Sequence, residues 1–537
     1  MRSLSPSALA LAALLTAACH TPSPAAPTVT AAELQSTIRF LSSDLFEGRG
    51  VGTRGDDLAR AYIASEFERL ALQPSGDANS YDQSVPILGI TAKVEATLRA
   101  KGKGKEATFD APTDYTAVAG DLNPTAAWND AELVFVGYGI DAKEQQWDDF
   151  KGHDLRGKVL LVMNNDPSSD PSLFAGTTRL YYGRWSYKYE EAARRGAAGV
   201  IVIHTPKSAG YPFQVTQANH GRENYWLPFD PKEPVVPVRS WCSEDAARRL
   251  CEVGGFDLDA LRAAAETRAF APVPLGVTVS LQLQNTKREL KSGNVLGLLP
   301  GSDPALRSEV VVVTAHFDHL GIGAPKRGDA IYNGALDNAT GVAGLLAMAR
   351  ACAAMNPRPA RSILFAAVTA EESGLLGSEW LAQHLPCDRK QVIANYNVDG
   401  LAIWGRTRDI EFIGHGKNTL TETAEAVARE RSRTVKPDSN PDLGLFYRSD
   451  HFNFARIGVP AAYFKAGSAF LDREVDRGRV KASYTATDYH QPSDEFSSRW
   501  YLDGATEDLQ FILACLLRTC AEAAPQWAKG DEFEKLR

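Results

Sequence analysis

After Asn285 the sequence settles into a regular alternation that constrains the fold more than any other feature. Apolar strand-like runs over 309–315, 362–368, 392–398, 410–413 and 459–465 are interleaved with amphipathic helical patterns over 341–354, 374–384, 418–431 and 505–517. Strands alternating with helices imply an α/β fold, here a mixed, mainly parallel sheet covered by helices on both faces. In such a sheet, ligands gather beyond the carboxyl ends of the strands.

The residues at those ends are chemically uniform. His316-Phe317-Asp318-His319 follows the first strand, Glu371-Glu372 the second and Asp399 the third. Asp337-Asn338 precedes the helix at 341, and Asp488-Tyr489-His490 lies beyond the strand at 459–465. Singly, each has a bland explanation: a hydrogen-bonded His, a helix cap or a solvated acidic turn. Crowded on one sheet edge, the carboxylates would repel one another, and hard divalent charge removes that objection. Histidines plus carboxylates suit zinc, with manganese or cobalt as alternatives. Asp318 is two residues from His316, so on a strand both side chains share a face, and Asp318 can accept the free imidazole N–H.

The N-terminal half reads differently. Helical patterns over 31–42 and 56–70 flank Phe46-Glu47-Gly48-Arg49-Gly50-Val51-Gly52-Thr53-Arg54-Gly55, which contains a formal G-x-G-x-x-G. A dinucleotide fingerprint needs a preceding strand; here a helix precedes it, and the segment reads as a flexible loop. Short strands are expected over 82–118. From 120 to 285 a small β-rich insertion follows, with strands over 131–138, 158–163 and 199–204 and a helix over 187–195. The expected organisation is a signal peptide (1–18), a tether (19–30), the first part of the catalytic domain (31–119), the insertion (120–285), the catalytic domain (286–525) and a C-terminal tail (526–537).

Export is read from Arg2 and the apolar stretch 8–18. That stretch is too short for a bilayer, which needs about 20 residues. Leu15-Thr16-Ala17-Ala18-Cys19 resembles a bacterial lipoprotein cleavage site, which implies membrane attachment through a lipidated Cys19; plain cleavage would give the same export. The other six cysteines (Cys242, Cys251, Cys352, Cys387, Cys515, Cys520) permit disulfides in an oxidising compartment but show no C-x-x-C. With 44% hydrophobic and 23% charged residues the chain is not a disordered one. A net charge of −8 without a basic block excludes the footprint of a nucleic-acid binder.

The order and wording of the strand-end groups resemble the co-catalytic zinc exopeptidase family of bacterial leucyl aminopeptidases and glutamate carboxypeptidases. The stretches that carry the resemblance are His316-Phe317-Asp318, Gly334-Ala335-Leu336-Asp337-Asn338-Ala339-Thr340-Gly341 and Thr369-Ala370-Glu371-Glu372-Ser373-Gly374. Asn397-Val398-Asp399, Tyr447-Arg448-Ser449-Asp450-His451 and Tyr489-His490-Gln491-Pro492-Ser493-Asp494-Glu495 complete it. The insertion resembles a protease-associated domain through 154–162 and 192–202.

The resemblance implies two zinc ions per chain, with Asp337 bridging them. Glu372 and His490 would complete one site, and His316 and Asp399 the other. Glu371 would be the general base and Tyr447 the oxyanion donor. Leu336 stands where the family usually has Asp, at a position that is not a ligand. The implied activity is an exported aminopeptidase acting on peptides; a carboxypeptidase or amidohydrolase of the same fold and a glutaminyl cyclase-like transferase are the alternatives. Asp438-Ser439-Asn440-Pro441-Asp442 only imitates a calcium loop, because position 12 is Ser449. The absence of G-x-S-x-G and H-E-x-x-H disfavours serine hydrolases and helix-borne zinc proteases. Substrate preference and oligomeric state stay open.

Overall fold

A computed structural model describes residues 28–217, 220–228, 232–472 and 476–536. The expected signal peptide, Cys19 and most of the tether lie outside the described residues. Two helices open the chain, α1 (Ala31–Leu41) and α2 (Arg54–Arg69). They are followed by β1 (Asp82–Gly102), β2 (Tyr115–Ala119), β3 (Thr125–Phe135), β4 (Val159–Met163), α3 (Trp185–Arg194), β5 (Gly199–Ile203), β6 (Val238–Cys242) and α4 (Glu244–Gly254). The alternating half contains β7 (Val273–Leu299), β8 (Val310–His316), α5 (Thr340–Ala353), β9 (Ser362–Val368), α6 (Leu376–Gln383) and β10 (Val392–Asn397). It ends with β11 (Asp409–Ile413), α7 (Leu420–Glu430), β12 (Thr434–Pro437), α8 (His451–Arg456), β13 (Ala461–Ala466) and α9 (Asp503–Ala521).

One continuous sheet runs β12-β11-β13-β10-β8-β9-β7-β3-β4-β5-β6-β2, with β1 lying along β7. In the catalytic half β10, β8 and β9 are parallel neighbours, and β13 joins β10 in parallel. β11 against β13 and β7 against β9 are antiparallel, which makes the sheet mixed as expected.

The apolar runs are continuous because helices cover both faces. Val311, Val313 and Ala315 of β8 and Ile363, Phe365 and Ala367 of β9 face the core shared with α1, α2, α5, α7 and α9. The alternate residues, Val310 and Val312 with Leu364, Ala366 and Val368, face Leu381 of α6 and Phe454 of α8. This two-sided burial holds the middle of the sheet rigid and leaves its carboxyl edge for polar side chains.

The expected domain boundaries do not coincide with the packing. β7 has 27 residues and runs unbroken through the boundary at 285. Its Val295–Leu299 end pairs with β9, while Val273–Gln284 pairs with β3 of the second lobe. β1, expected as several short strands, is one 21-residue strand whose pairing with β7 runs from Asp82↔Val295 to Lys101↔Thr278. Tyr115, Ala117 and Ala119 of β2 are buried in the second lobe's core, so the boundary at 119 also falls inside one packing unit. The alternation of apolar residues marks strands but carries no sign of which lobe a strand serves.

The loop at 46–55 is not flexible. A Cβ on Gly50 would lie 2.9 Å from the Cα of Gly321, and Gly48, at φ +67, has no room for one beside the Tyr332 carbonyl. Between them Arg49 is 1% exposed. Its guanidinium donates to the carbonyls of Phe317, Leu41, Asn333 and Gly334 at 2.7–2.8 Å. The six described cysteines are free thiols. Among the described residues no helix is long and apolar enough to cross a membrane.

Candidate active site

The carboxyl edge of the sheet collects the residues singled out by sequence. His316 is the last residue of β8, Glu371 and Glu372 follow β9, and Asp399 follows β10. Asp337 enters from the loop before α5 and lies between two imidazoles. His316 Nε2 is 3.3 Å from Asp337 Oδ1, and His490 Nε2 is 3.2 Å from Oδ2. His316 Nε2 also lies 3.5 Å from Asp399 Oδ1, and His490 Nε2 lies 3.0 Å from Glu372 Oε2. The five residues named as ligands are therefore neighbours, with one oxygen of Asp337 toward each histidine.

Two donor groups emerge, each with ligand atoms within 4.8 Å of one another: His316, Glu371 and Asp399, and His319, Asp337 and Glu372. His319 was not among the expected ligands. Its Nδ1 is 2.6 Å from Glu372 Oε1, so Glu372 is held by His319 on one oxygen and by His490 on the other. The signal for His319 was its place in His316-Phe317-Asp318-His319, three residues from a chosen ligand.

Surrounding polar groups fix the cluster. The Asp318 side chain does not form the expected bond to His316: Nδ1 is 3.7 Å from its carboxylate and 3.2 Å from its own main-chain carbonyl. The carboxylate instead accepts the main-chain N–H groups of Glu371 and Glu372, at 3.1 and 3.4 Å. Asp494 accepts the N–H groups of Leu336 and Asp337 at 2.9 and 3.1 Å. The Ser449 hydroxyl donates to Asp399 Oδ2 at 2.6 Å. Arg49 clamps the main chain at Phe317 and Gly334, on either side of the site.

Electrostatics agree with a cation-binding cluster. Burial alone would push Asp337 toward the neutral acid, but His316 and His490 hold it well below the ordinary carboxylate range. His490 is driven up to about 11: burial opposes its charge, and Glu372 and Asp337 outweigh that. Glu372 is brought down to about 2 because His490 and His319 overcome burial and the neighbouring Asp337. Glu371 behaves oppositely. Burial, then Asp399, Glu372 and Asp450, raise it well above the usual value, against the pull of His316.

The donor set fits zinc. Buried His316 Nε2 has no hydrogen-bond partner and lies 3.3 and 3.5 Å from the carboxylates of Asp337 and Asp399, while His319 presents Nδ1 to Glu372. Imidazole nitrogen with carboxylate oxygen is a zinc-type set. A divalent ion compensates the same negative charge that protonated histidines compensate, without requiring the imidazoles to be charged.

Tyr447 is not directed at this cluster. Its hydroxyl donates to Glu532 Oε1 at 2.5 Å, and its ring packs among Tyr181, Phe446 and Phe452. The tail residue Glu532, also paired with Lys417, holds it there. Two other tyrosines border the carboxylates. Tyr463 donates to the Asp399 carbonyl at 3.2 Å. Tyr489 stacks on His490 with ring centroids 3.9 Å apart; the residue is 48% exposed, while burial is the largest influence raising the pKa of its phenol. Its adjacency to His490 in sequence was the available signal.

A mixed α/β sheet with this edge defines a metallopeptidase-type domain, and comparison with known proteins agrees. Residues 294–511 match the model of Peptidase family M28. A protein named "Probable zinc metalloprotease" from Pyrenophora tritici-repentis (strain Pt-1C-BFP) is 28% identical over 271 residues, 49% of this chain and 52% of its own length. "Aminopeptidase NAALADL1" of Mus musculus is 31% identical over 180 residues, 31% of this chain and 22% of its own. The chain thus spans about half the length of the first relative and under a quarter of the second. Among solved structures, "Aminopeptidase from Aneurinibacillus sp. strain AM-1" shares the fold with a TM-score of 0.52 at 20% identity, covering 93% of this chain and 95% of that one.

Proposed function

We propose that the chain is an exported metallo-aminopeptidase that removes N-terminal residues from peptides. The observation that carries the reading is Asp337 lying between His316 and His490, with Glu372 and Asp399 completing a donor set on either side. His316, Asp399 and Asp337 would hold one zinc ion, and Asp337, Glu372 and His490 a second. Bound zinc supplies Lewis acidity, which lowers the pKa of water and polarises a carbonyl.

The protein's own residues supply the proton handling. Glu371 is the group for it: its carboxylate makes no hydrogen bond or ion pair with a described residue, and burial with its acidic neighbours favours its protonated form. It accepts a proton from the attacking water and returns it to the leaving amine, the double role expected of a general base with a raised pKa. Asp318 keeps Glu371 aimed by binding its main-chain N–H. The Tyr489 phenol meets the oxygen on which negative charge develops, since a preorganised donor there stabilises the transition state. A free N-terminal amine is the expected recognition group, which would select exopeptidase action.

The test is a library of peptides with free or N-acetylated termini, with products identified by mass. Release of single N-terminal residues, lost on acetylation and lowered about 10²–10⁴-fold by Glu371→Gln, is the expected result. Equal cleavage of blocked peptides would overturn it. Export is read by fractionation of the expressing cells.

A further inference from the structure

A second site lies in the seam where the inserted lobe meets the loop leading into Ser449. The main-chain N–H of Arg179 donates to the Pro441 carbonyl at 3.1 Å, and a Cβ on Gly444 would come within 2.9 Å of the Arg179 side chain. From the other side, Arg448 Nη2 is 3.4 Å from the Ala209 carbonyl, which adjoins Ser208, whose carbonyl takes Arg179 Nη2 at 2.8 Å. Arg184 is the third cation here, beside the Tyr181 ring that packs on Tyr447 and Phe452.

These three arginines have little counter-charge, all of it acting on Arg179. Among the described residues none of them forms an ion pair, and the Nε of each is buried without a hydrogen-bond partner. Arg179 itself is only 6% exposed. Asp166 and Asp442 favour the charge of Arg179 without forming an ion pair with it: Asp166 accepts the Leu180 N–H at 3.0 Å, and Asp442 is solvent-exposed. The arginines also repel one another. After burial, Arg448 is the largest influence lowering both Arg179 and Arg184, each to about 10. Buried charge without a partner is costly, and a guanidinium fork is shaped for a carboxylate.

The position relates this seam to the reaction. Arg448 directly precedes Ser449, whose hydroxyl holds Asp399 at 2.6 Å. The seam and the sheet edge therefore share one short stretch of chain, 448–449.

We infer that Arg179, Arg184 and Arg448 form a subsite for a carboxylate on the leaving part of a short peptide. This rests on the aminopeptidase reading. The carboxylate is either the terminal group of a di- or tripeptide or an acidic side chain following the scissile bond. Charge pairing in a partly desolvated seam favours such substrates over neutral ones of the same size.

The full chain loaded with zinc is assayed on four peptides: Leu-Ala, Leu-Ala-amide, Leu-Glu-amide and Leu-Gln-amide. The first pair reads the terminal carboxylate and the second the side chain. The expected result is a kcat/KM ratio of acid to neutral peptide of at least tenfold in one pair, expressed in KM. The ratio falls toward one in Arg184→Met and Arg448→Met and is partly restored by Arg184→Lys. Separately, calorimetry with acetyl-Gly-Gly and its amide should show saturable binding of the acid alone, weakened at least tenfold in Arg184→Met. Ratios near one in the unaltered protein, or a preference that survives both methionine variants, overturn the subsite. If no free-amine peptide is cleaved while the acid still binds through Arg184, the aminopeptidase reading fails and the carboxylate site stands.

Discussion

Asp318 Oδ1 accepts the main-chain N–H of Glu371 at 3.1 Å, so the loop that follows His316 also fixes the turn carrying the proposed base. Its second oxygen takes the N–H of Glu372 at 3.4 Å, which ties both glutamates to one fully buried carboxylate. Asp318→Asn keeps one acceptor and presents an N–H₂ to a main-chain N–H. We expect kcat to fall about 10–100-fold, the range for groups that orient ligands. KM should change little, and zinc content per chain, measured by atomic emission, should drop less than in Asp337→Asn.

Arg49 has a comparable role in the main chain. Its guanidinium is buried and donates to four carbonyls from three separate stretches of chain. Burial lowers its pKa to about 10, and the surrounding carboxylates Asp494, Asp318, Asp337 and Glu372 favour its charge, so it stays charged at neutral pH. Arg49→Met strands those carbonyls, each at a cost of about 1–3 kcal/mol. The expected loss is at least about 3 kcal/mol in denaturant unfolding. Arg49→Lys should not rescue it, because an ammonium cannot replace the planar fork.

Metal removal tests the donor set directly. A ligand that binds only the folded chain stabilises it by RT ln(1 + [L]/Kd), about 2.7 kcal/mol at a hundredfold excess over Kd. Chelation should lower the melting temperature by several degrees, and zinc should restore it. In Asp337→Asn, where the residue between the two histidines loses its charge, both responses should shrink together. A full response in that variant would remove Asp337 from the ligand set.

How far the sequence was legible follows from what each residue depends on. His316, Glu371, Glu372 and Asp399 were readable because strand periodicity brings consecutive strand ends to one edge. His490 and Asp337 needed the wording of their motifs, since they arrive on loops. His319 escaped because its partner Glu372 is 53 residues away. Arg49 escaped for a similar reason: its carbonyl partners at Phe317, Asn333 and Gly334 are more than 260 residues away, and glycines around it imitate a mobile loop. The 27-residue β7 was cut at 285 because a strand that serves two lobes has no periodicity to mark the crossing.

Two tyrosines separate the sequence expectation from the structural one. Tyr447 is buried on Glu532, whereas Tyr489 stacks beside His490, the pKa of its phenol raised by burial and then by Asp337, Glu372, Glu371 and Asp399. Tyr489→Phe should lower kcat about 10²–10³-fold, the scale for losing one oxyanion donor, with little change in KM. Tyr447→Phe should leave kcat within about threefold and lower stability by about 1 kcal/mol through the lost bond to Glu532. The reverse pattern would return the donor role to Tyr447.

Asp56 gives a pH dependence independent of the proposed ligands. It is fully buried, accepts the Ser292 hydroxyl at 2.9 Å and lies 3.4 Å from Arg60. Burial lifts its pKa to about 7, against the opposing pull of Arg60 and Ser292. In the unfolded chain an aspartate titrates near 4, so between about pH 4 and pH 7 the folded state holds a proton that the unfolded state has released. Stability from this group is therefore present at low pH and lost as pH rises through that window, the reverse of an ion-paired aspartate. Asp56→Asn cannot titrate, and the histidine–carboxylate cluster contributes alike to both proteins. The stability difference, parent minus variant, should fall by roughly 2–3 kcal/mol between pH 5 and pH 8, at about 1.4 kcal/mol per pKa unit. Guanidinium unfolding at the two pH values measures it; a difference that stays constant or grows would mean Asp56 is ionised in the folded protein throughout.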